Sequence, residues 1–267
     1  MIPCKRVGAA FVVALCIALM SVAVSAVSAS GIVGGVVDGT AHRNVGALVA
    51  ELNGQKNWEC SGVLVSSTVF VTAGHCTAYL ESLGIADTAV WVTFDPVFDA
   101  TAGTFLSGTM HTNPAFNRTQ SDPSDLGVVV LNSPIGITPA QLPSAGLLDS
   151  LAAAHGLAGQ TFTAVGYGSD QRLFGGPPRF SYDGVRRSAT STFNALNPAW
   201  LRLSQNPATG NGGTCYGDSG GPNFLGTSQI IAAVTNGGDT VCRATNVDYR
   251  LDTRTARAFL GNYVTLP

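Results

Sequence analysis

Gly213-Thr214-Cys215-Tyr216-Gly217-Asp218-Ser219-Gly220-Gly221-Pro222 sets one serine between an aspartate and two glycines, with a further glycine at Gly217. Glycines on both sides let the backbone turn tightly and let another chain approach closely. In such a turn the N–H groups of Gly217 and Ser219 can point the same way, which is what stabilising an oxyanion requires. Ser219 Oγ then sits beside them as a nucleophile. A serine hydroxyl is too weak a nucleophile alone, so a base must come from elsewhere in the chain.

The base is offered by Val71-Thr72-Ala73-Gly74-His75-Cys76, and an orienting acid by Asp125, directly before the apolar run 126–131. The order is therefore His75, Asp125, Ser219. A G-x-S-x-G nucleophile elbow would place its acid and histidine after the serine. The last histidine here is His155, so that reading fails. Asp122 competes with Asp125, but it precedes Pro123 in a polar stretch, whereas Asp125 abuts the apolar run; Asp125 is preferred.

The chain has 267 residues, of which 45% are hydrophobic and 11% charged. Its net charge of −2 offers no basic stripe for nucleic acid. Thirty-two glycines and so few charges suit a turn-rich extracellular β protein. Residues 1–29 read as a secretory signal: Lys5 and Arg6 lead, an apolar run follows, and small residues end it. A retained anchor is the alternative, and the small residues favour cleavage. No later apolar run is long enough to span a bilayer. Cleavage leaves Cys60, Cys76, Cys215 and Cys242, an even number that implies two disulfides in an oxidising compartment. Their wide spacing lacks the close pair of a zinc site.

Strand composition marks residues 45–52, 62–72, 90–94, 126–131, 161–168 and 230–235, with Ser66-Ser67-Thr68 as a turn. Residues 133–150, with three prolines, read as a connection, and 171–187 as a long exposed loop. Ala256, Phe259, Leu260 and Tyr263 have the spacing of an amphipathic terminal helix.

The combination of TAGHC, the aspartate before a strand, and GDSGGP resembles the trypsin/chymotrypsin family of serine proteases, from Ile32 to the C-terminal segment. The resemblance implies an all-β fold: two six-stranded antiparallel Greek-key β-barrels and a C-terminal helix, with the active site in the cleft between them. It divides the chain into a leader over 1–31, with or without a very short propeptide, and a peptidase domain over 32–267. The barrels would span about 32–135 and about 136–267. It implies a Ser219–His75–Asp125 triad, an oxyanion hole at Gly217 and Ser219, and disulfides Cys60–Cys76 and Cys215–Cys242, each worth about 3 kcal/mol for such loops. Ile32, opening Ile32-Val33-Gly34-Gly35, would be freed as an amine and pair with Asp218. Gly31 is neither Lys nor Arg, so a trypsin-like activator is not indicated. Either a short propeptide is trimmed or signal cleavage exposes Ile32 directly.

The substrate pocket maps onto Gly213, Thr214, Thr235, Asn236 and Gly237, with Gly213 at its base. Without a carboxylate there, the expected P1 side chain is apolar or aromatic rather than basic, and Gly213→Asp is expected to shift preference toward Lys and Arg. Asn236 replaces the tryptophan common at its position. The resemblance implies no metal or organic cofactor. It implies protein or peptide substrates, protein inhibitors, a secreted monomer, and neither nucleic acid nor membrane as partner after signal cleavage. The alternative is an inert homologue that only binds a partner, and the intact three residues argue against it.

Overall fold

The structure, a computed structural model, describes residues 32–119, 121–169, 171–173 and 179–267. The expected leader lies outside the described residues. After a short strand β1 (Val36–Val37), six strands form a closed antiparallel barrel: β2 (Val45–Leu52), β3 (Gln55–Leu64), β4 (Val69–Thr72), β5 (Val90–Thr93), β6 (Leu106–Thr112) and β7 (Gly127–Leu131), in the order β2-β3-β4-β7-β6-β5. Asn53 and Gly54, both at positive φ, make the two-residue turn between β2 and β3. That backbone matches the twist of paired strands. Ser66 Oγ accepts from the Val69 and Thr68 amides at 3.0 and 3.3 Å and closes the next turn.

The second barrel is built from β8 (Thr161–Gly166), β11 (Arg187–Leu196), β12 (Trp200–Ser204), β13 (Pro222–Leu225), β14 (Ile231–Gly238) and β15 (Thr245–Arg250). Its order is β11-β12-β15-β14-β13-β8, closed by pairing of β8 with β11. The segment expected as a loop carries a small hairpin, β9 (Gln171–Leu173) with β10 (Arg179–Ser181). Among the described residues three α-helices complete the fold: α1 (Gly74–Ser82), α2 (Leu147–Ala153) within the inter-barrel connection, and α3 (Arg254–Leu260). The first barrel begins at Val45 rather than Ile32. Val36 and Val37 pair instead with Ser188 and Arg187 of the second sheet.

Alternation along the strands sends one set of side chains inside each barrel and the other between them. Leu48, Leu64, Phe70, Val92 and Met110 fill the first barrel. Phe162, Leu201, Leu203 and Ala233 lie in the second. A third cluster joins the two: Val63, Val71 and Val128 meet Phe224, Val234 and Tyr249, with Ala256, Phe259 and Leu260 of α3 packed on top. Each fully buried large apolar side chain contributes roughly 1.5–3 kcal/mol. Thr253 caps α3 through Oγ1, which accepts from the Ala256 amide at 3.2 Å.

Polar side chains cross the same boundary, Arg186 with the most bonds. Arg186, buried just before β11, donates from Nε to Asp38 Oδ2 at 3.0 Å. Its Nη1 donates to the carbonyls of Val45 and Phe94 at 2.9 and 3.0 Å, and its Nη2 to that of Gly39 at 2.7 Å. A buried guanidinium is tolerated because its donors are matched in this way.

Candidate active site

β4 and β7 run antiparallel with Thr72 opposite Gly127. The residues just after β4 and just before β7 are therefore neighbours, and they are the start of α1 and Asp125. The His75 amide donates to Asp125 Oδ1 at 2.7 Å, and His75 Nδ1 lies 2.9 Å from Asp125 Oδ2. Asp125 is fully buried, while His75 is partly open to the cleft. Burial alone would raise the Asp125 carboxyl, but the bonds from His75 and Asn236 offset it and hold its pKa below the ordinary range. Asp122 takes no part: its Oδ1 accepts from the Tyr249 hydroxyl at 2.8 Å.

Ser219 arrives from the second barrel and is held by its backbone. Its carbonyl accepts from the Ser61 amide at 3.0 Å, and the Gly220 amide donates to the Thr235 carbonyl at 2.7 Å. A Cβ on Gly220 would lie 2.2 Å from Thr72 Oγ1 and 2.5 Å from the Ala73 nitrogen, so only glycine lets this turn approach the residues ahead of His75. Gly217 has φ +94°, a conformation that favours glycine. Within the turn, the amides of Asp218, Gly220 and Gly221 all donate to protein carbonyls. Those of Gly217 and Ser219 bond to no acceptor among the described residues. No hydrogen bond joins Ser219 Oγ to His75 among the described residues.

Beside Ser219 lies a pocket of about 300 Å³, walled by Thr214, Tyr216, Thr235, Gly237, Asp239 and the Cys215–Cys242 disulfide. Asn236 stands at its edge and also lines a cleft of about 690 Å³ that includes His75. Gly213 is not on the pocket wall. Its amide donates to the Val33 carbonyl at 3.0 Å, and a Cβ there would lie 2.2 Å from Gln205 Oε1. An aspartate at position 213 would collide with Gln205, so Gly213→Asp should disturb that packing rather than place a carboxylate in the pocket. Asp239 does line the pocket, with its carboxylate held by the loop that follows it and by Gln205 Nε2. Burial works against its charge, but amides of Thr245, Ala244 and Arg243 donate to it and hold its pKa below the ordinary value.

The protein-family model described as Trypsin matches residues 32–259. The chain belongs to the trypsin family. No curated protein sequence matches it. The two closed β-barrels are the chymotrypsin-type architecture of this serine-protease family, whose substrates are proteins. The disulfides are Cys60–Cys76 and Cys215–Cys242, and no helix among the described residues is long and apolar enough to cross a membrane. Cys60, Cys76 and His75 come within reach of a single ion, but both sulfurs are committed to the disulfide.

In this trypsin-family chain Ile32 is fully buried against Ala164 and Ala189. Asp218 is fully buried as well, and its two oxygens accept from the amides of Gly168 and Cys215 at 2.8 and 2.9 Å. No cation is bonded to it among the described residues. Burial, only partly offset by those two amides, pushes its pKa up to about 7.

Three contributors escape a reading of motifs. Ser61 sits on β3 yet organises the serine turn: its Oγ donates to the Gly217 carbonyl at 3.1 Å and its amide to the Ser219 carbonyl. Trp200, on β12, lines the cleft with an indole packed edge-on against Tyr249. Asn223 lies behind the pocket, where its Nδ2 donates to buried Asp248 at 2.8 Å and its Oδ1 accepts from Asn246 at 3.2 Å. None of the three belongs to a local motif; a lone serine after a cysteine carries no signal of its own.

Proposed function

We propose that the chain is a secreted serine endopeptidase working through Ser219, His75 and Asp125. The observation that carries this reading is the pair of unmatched amides, Gly217 and Ser219, beside a serine and facing a histidine–aspartate pair from the other barrel. Ser219 Oγ attacks the scissile carbonyl. His75 accepts its proton and then passes it to the leaving amine, while Asp125 orients the imidazole and stabilises its charged form. The two amides stabilise the oxyanion of the tetrahedral intermediate. A serine–histidine bond absent from the free enzyme is compatible with this role, since such bonds tighten when substrate is bound. Protein or peptide substrates and protein inhibitors are the partners, met by a monomer. Incubating the mature protein with a peptide library and mapping the cleaved bonds by mass spectrometry tests the reading. An intact library would favour the inert homologue.

Pocket chemistry bears on the expected apolar or aromatic P1 preference. The Thr214 hydroxyl hydrogen is directed at Asn246 Oδ1, and the Tyr216 hydroxyl donates to the Thr240 carbonyl at 3.4 Å. The Asn236 amide is directed at Asp125. The wall residues thus include the acceptors Thr214 Oγ1 and Asp239, whose Oδ1 is held by its own loop, beside apolar glycine and disulfide surface. Such a pocket suits a side chain that is apolar along its length with a donor at its end: Tyr, Lys or Arg. Against matched peptides, these should be cleaved about tenfold faster in kcat/KM than Phe or Leu, the worth of one hydrogen bond to a charged group. Phe and Leu as the best residues would return the pocket to the apolar reading.

The proposed activation pairs the freed Ile32 amine with Asp218. Buried Ile32, buried Asp218 and the absence of a cation bonded to it among the described residues support it. Edman sequencing of active enzyme should read Ile-Val-Gly-Gly. Full activity in a chain that begins upstream of Ile32 would end the activation argument.

A further inference from the structure

Asn236 does more than border the pocket. Its Nδ2 donates to Asp125 Oδ2 at 2.5 Å, the same oxygen that faces His75 Nδ1. This contact spans 111 residues of sequence and links the two barrels at the candidate triad itself. The backbone explains how it is made. Pairing of β14 with β15 slips between Thr235 and Gly237, so Asn236 is the extra residue of a β-bulge. A bulge frees one residue from the ladder and re-aims its side chain. Thr235 meanwhile turns the other way, its Oγ1 accepting from Asn223 Nδ2 at 3.1 Å inside the second barrel.

We propose that Asn236 is a positioning residue for the triad, fixing the Asp125 carboxylate so that its Oδ2 presents squarely to the imidazole. The inference rests on the proposed Ser219–His75–Asp125 assignment. A fully buried carboxylate needs donors on both oxygens. Oδ1 has the His75 amide, and without Asn236 the other oxygen would have the imidazole alone. The amide must present its nitrogen here, because its oxygen would face a carboxylate. Other groups near Asp125 leave this oxygen free: Tyr249 on β15 is engaged with Asp122, and no other charged side chain bonds to Asp125 among the described residues.

The test replaces Asn236 with leucine, nearly isosteric but without a donor, and with glutamine, which keeps the amide. Asn236→Leu should lower kcat about tenfold with KM changed less than about threefold, as loss of a charge-assisted hydrogen bond felt mainly in the transition state requires. The Asp125 carboxyl carbon, followed by ¹³C NMR, should titrate higher by about half a pH unit or more, because the charged form has lost a donor. Asn236→Gln should recover most of both effects. If Asn236→Leu raises KM alone, or leaves both kcat and the Asp125 titration at wild-type values, the proposal is overturned and Asn236 is only pocket wall. If the wild type cleaves no peptide but the Asp125 titration still moves, the endopeptidase reading fails while the positioning of Asp125 stands.

Discussion

Ser219→Ala should lose peptide hydrolysis by a factor on the order of 10⁴–10⁶ in kcat, with no change in fold. The size follows from the proposed chemistry. Without Oγ there is no acyl-enzyme, and the residual rate is what substrate binding and the two amides of Gly217 and Ser219 supply. The fold should survive because the turn is held through its backbone. The Ser61 amide bonds to the Ser219 carbonyl and the Gly220 amide to the Thr235 carbonyl, and neither needs the hydroxyl. The measurement is kcat on a cleaved peptide, with thermal unfolding run alongside. A variant with equal thermal stability and wild-type turnover would show that the nucleophile lies elsewhere.

The second large effect is a pH dependence of stability in the chain still joined ahead of Ile32. Asp218 has a folded pKa of about 7, raised by burial from an ordinary value of 3.8. Between those values the folded state holds a proton that the unfolded state has released, so stability falls as pH rises through that window. The gap corresponds to about 4 kcal/mol lost between pH 4 and pH 7. Asp218→Asn cannot ionise and should lack this decline. After cleavage the new ammonium at Ile32 favours the charged carboxylate, and the decline should vanish or reverse. Urea unfolding at several pH values, on uncleaved wild type and Asp218→Asn, separates the cases. Parallel curves for the two proteins would mean that Asp218 does not carry the burden assigned to it.

The barrels and the three candidate catalytic residues were legible because their signals are local. TAGHC and GDSGGP are short, and the apolar run after Asp125 is consistent with a strand buried on both faces. Of the barrel strands, β6, β11, β12, β13 and β15 were not read: β6, β11 and β15 are rich in polar residues such as Ser, Thr, Asn and Asp, and β12 and β13 are only five and four residues long. The pocket was the least legible part. Counting back from Ser219 put Gly213 at its base, but Gln205 from a different part of the chain lies behind that glycine and leaves it no side-chain space. Asp239 reaches the wall through a loop whose path depends on amides three to six residues beyond it, in part a matter of Cys242 closing the disulfide. The role of Asn236 depends on a bulge, which is a property of strand register rather than of composition.

Arg186 bears on how the chain comes off the ribosome. Its partners Asp38, Gly39, Val45 and Phe94 are all made first, and the guanidinium that matches them follows 92 to 148 residues later. Until it arrives, a first barrel folded on its own leaves the carbonyls of Val45 and Phe94 without that donor at an unfinished boundary, next to the valines that will later meet β13, β14 and α3. Such a half-molecule is sticky and short of partners, and domains emerging in sequence fail most often at surfaces of this kind. The histidine comes with the first barrel and the serine with the second, so the candidate site is complete only when both have been made.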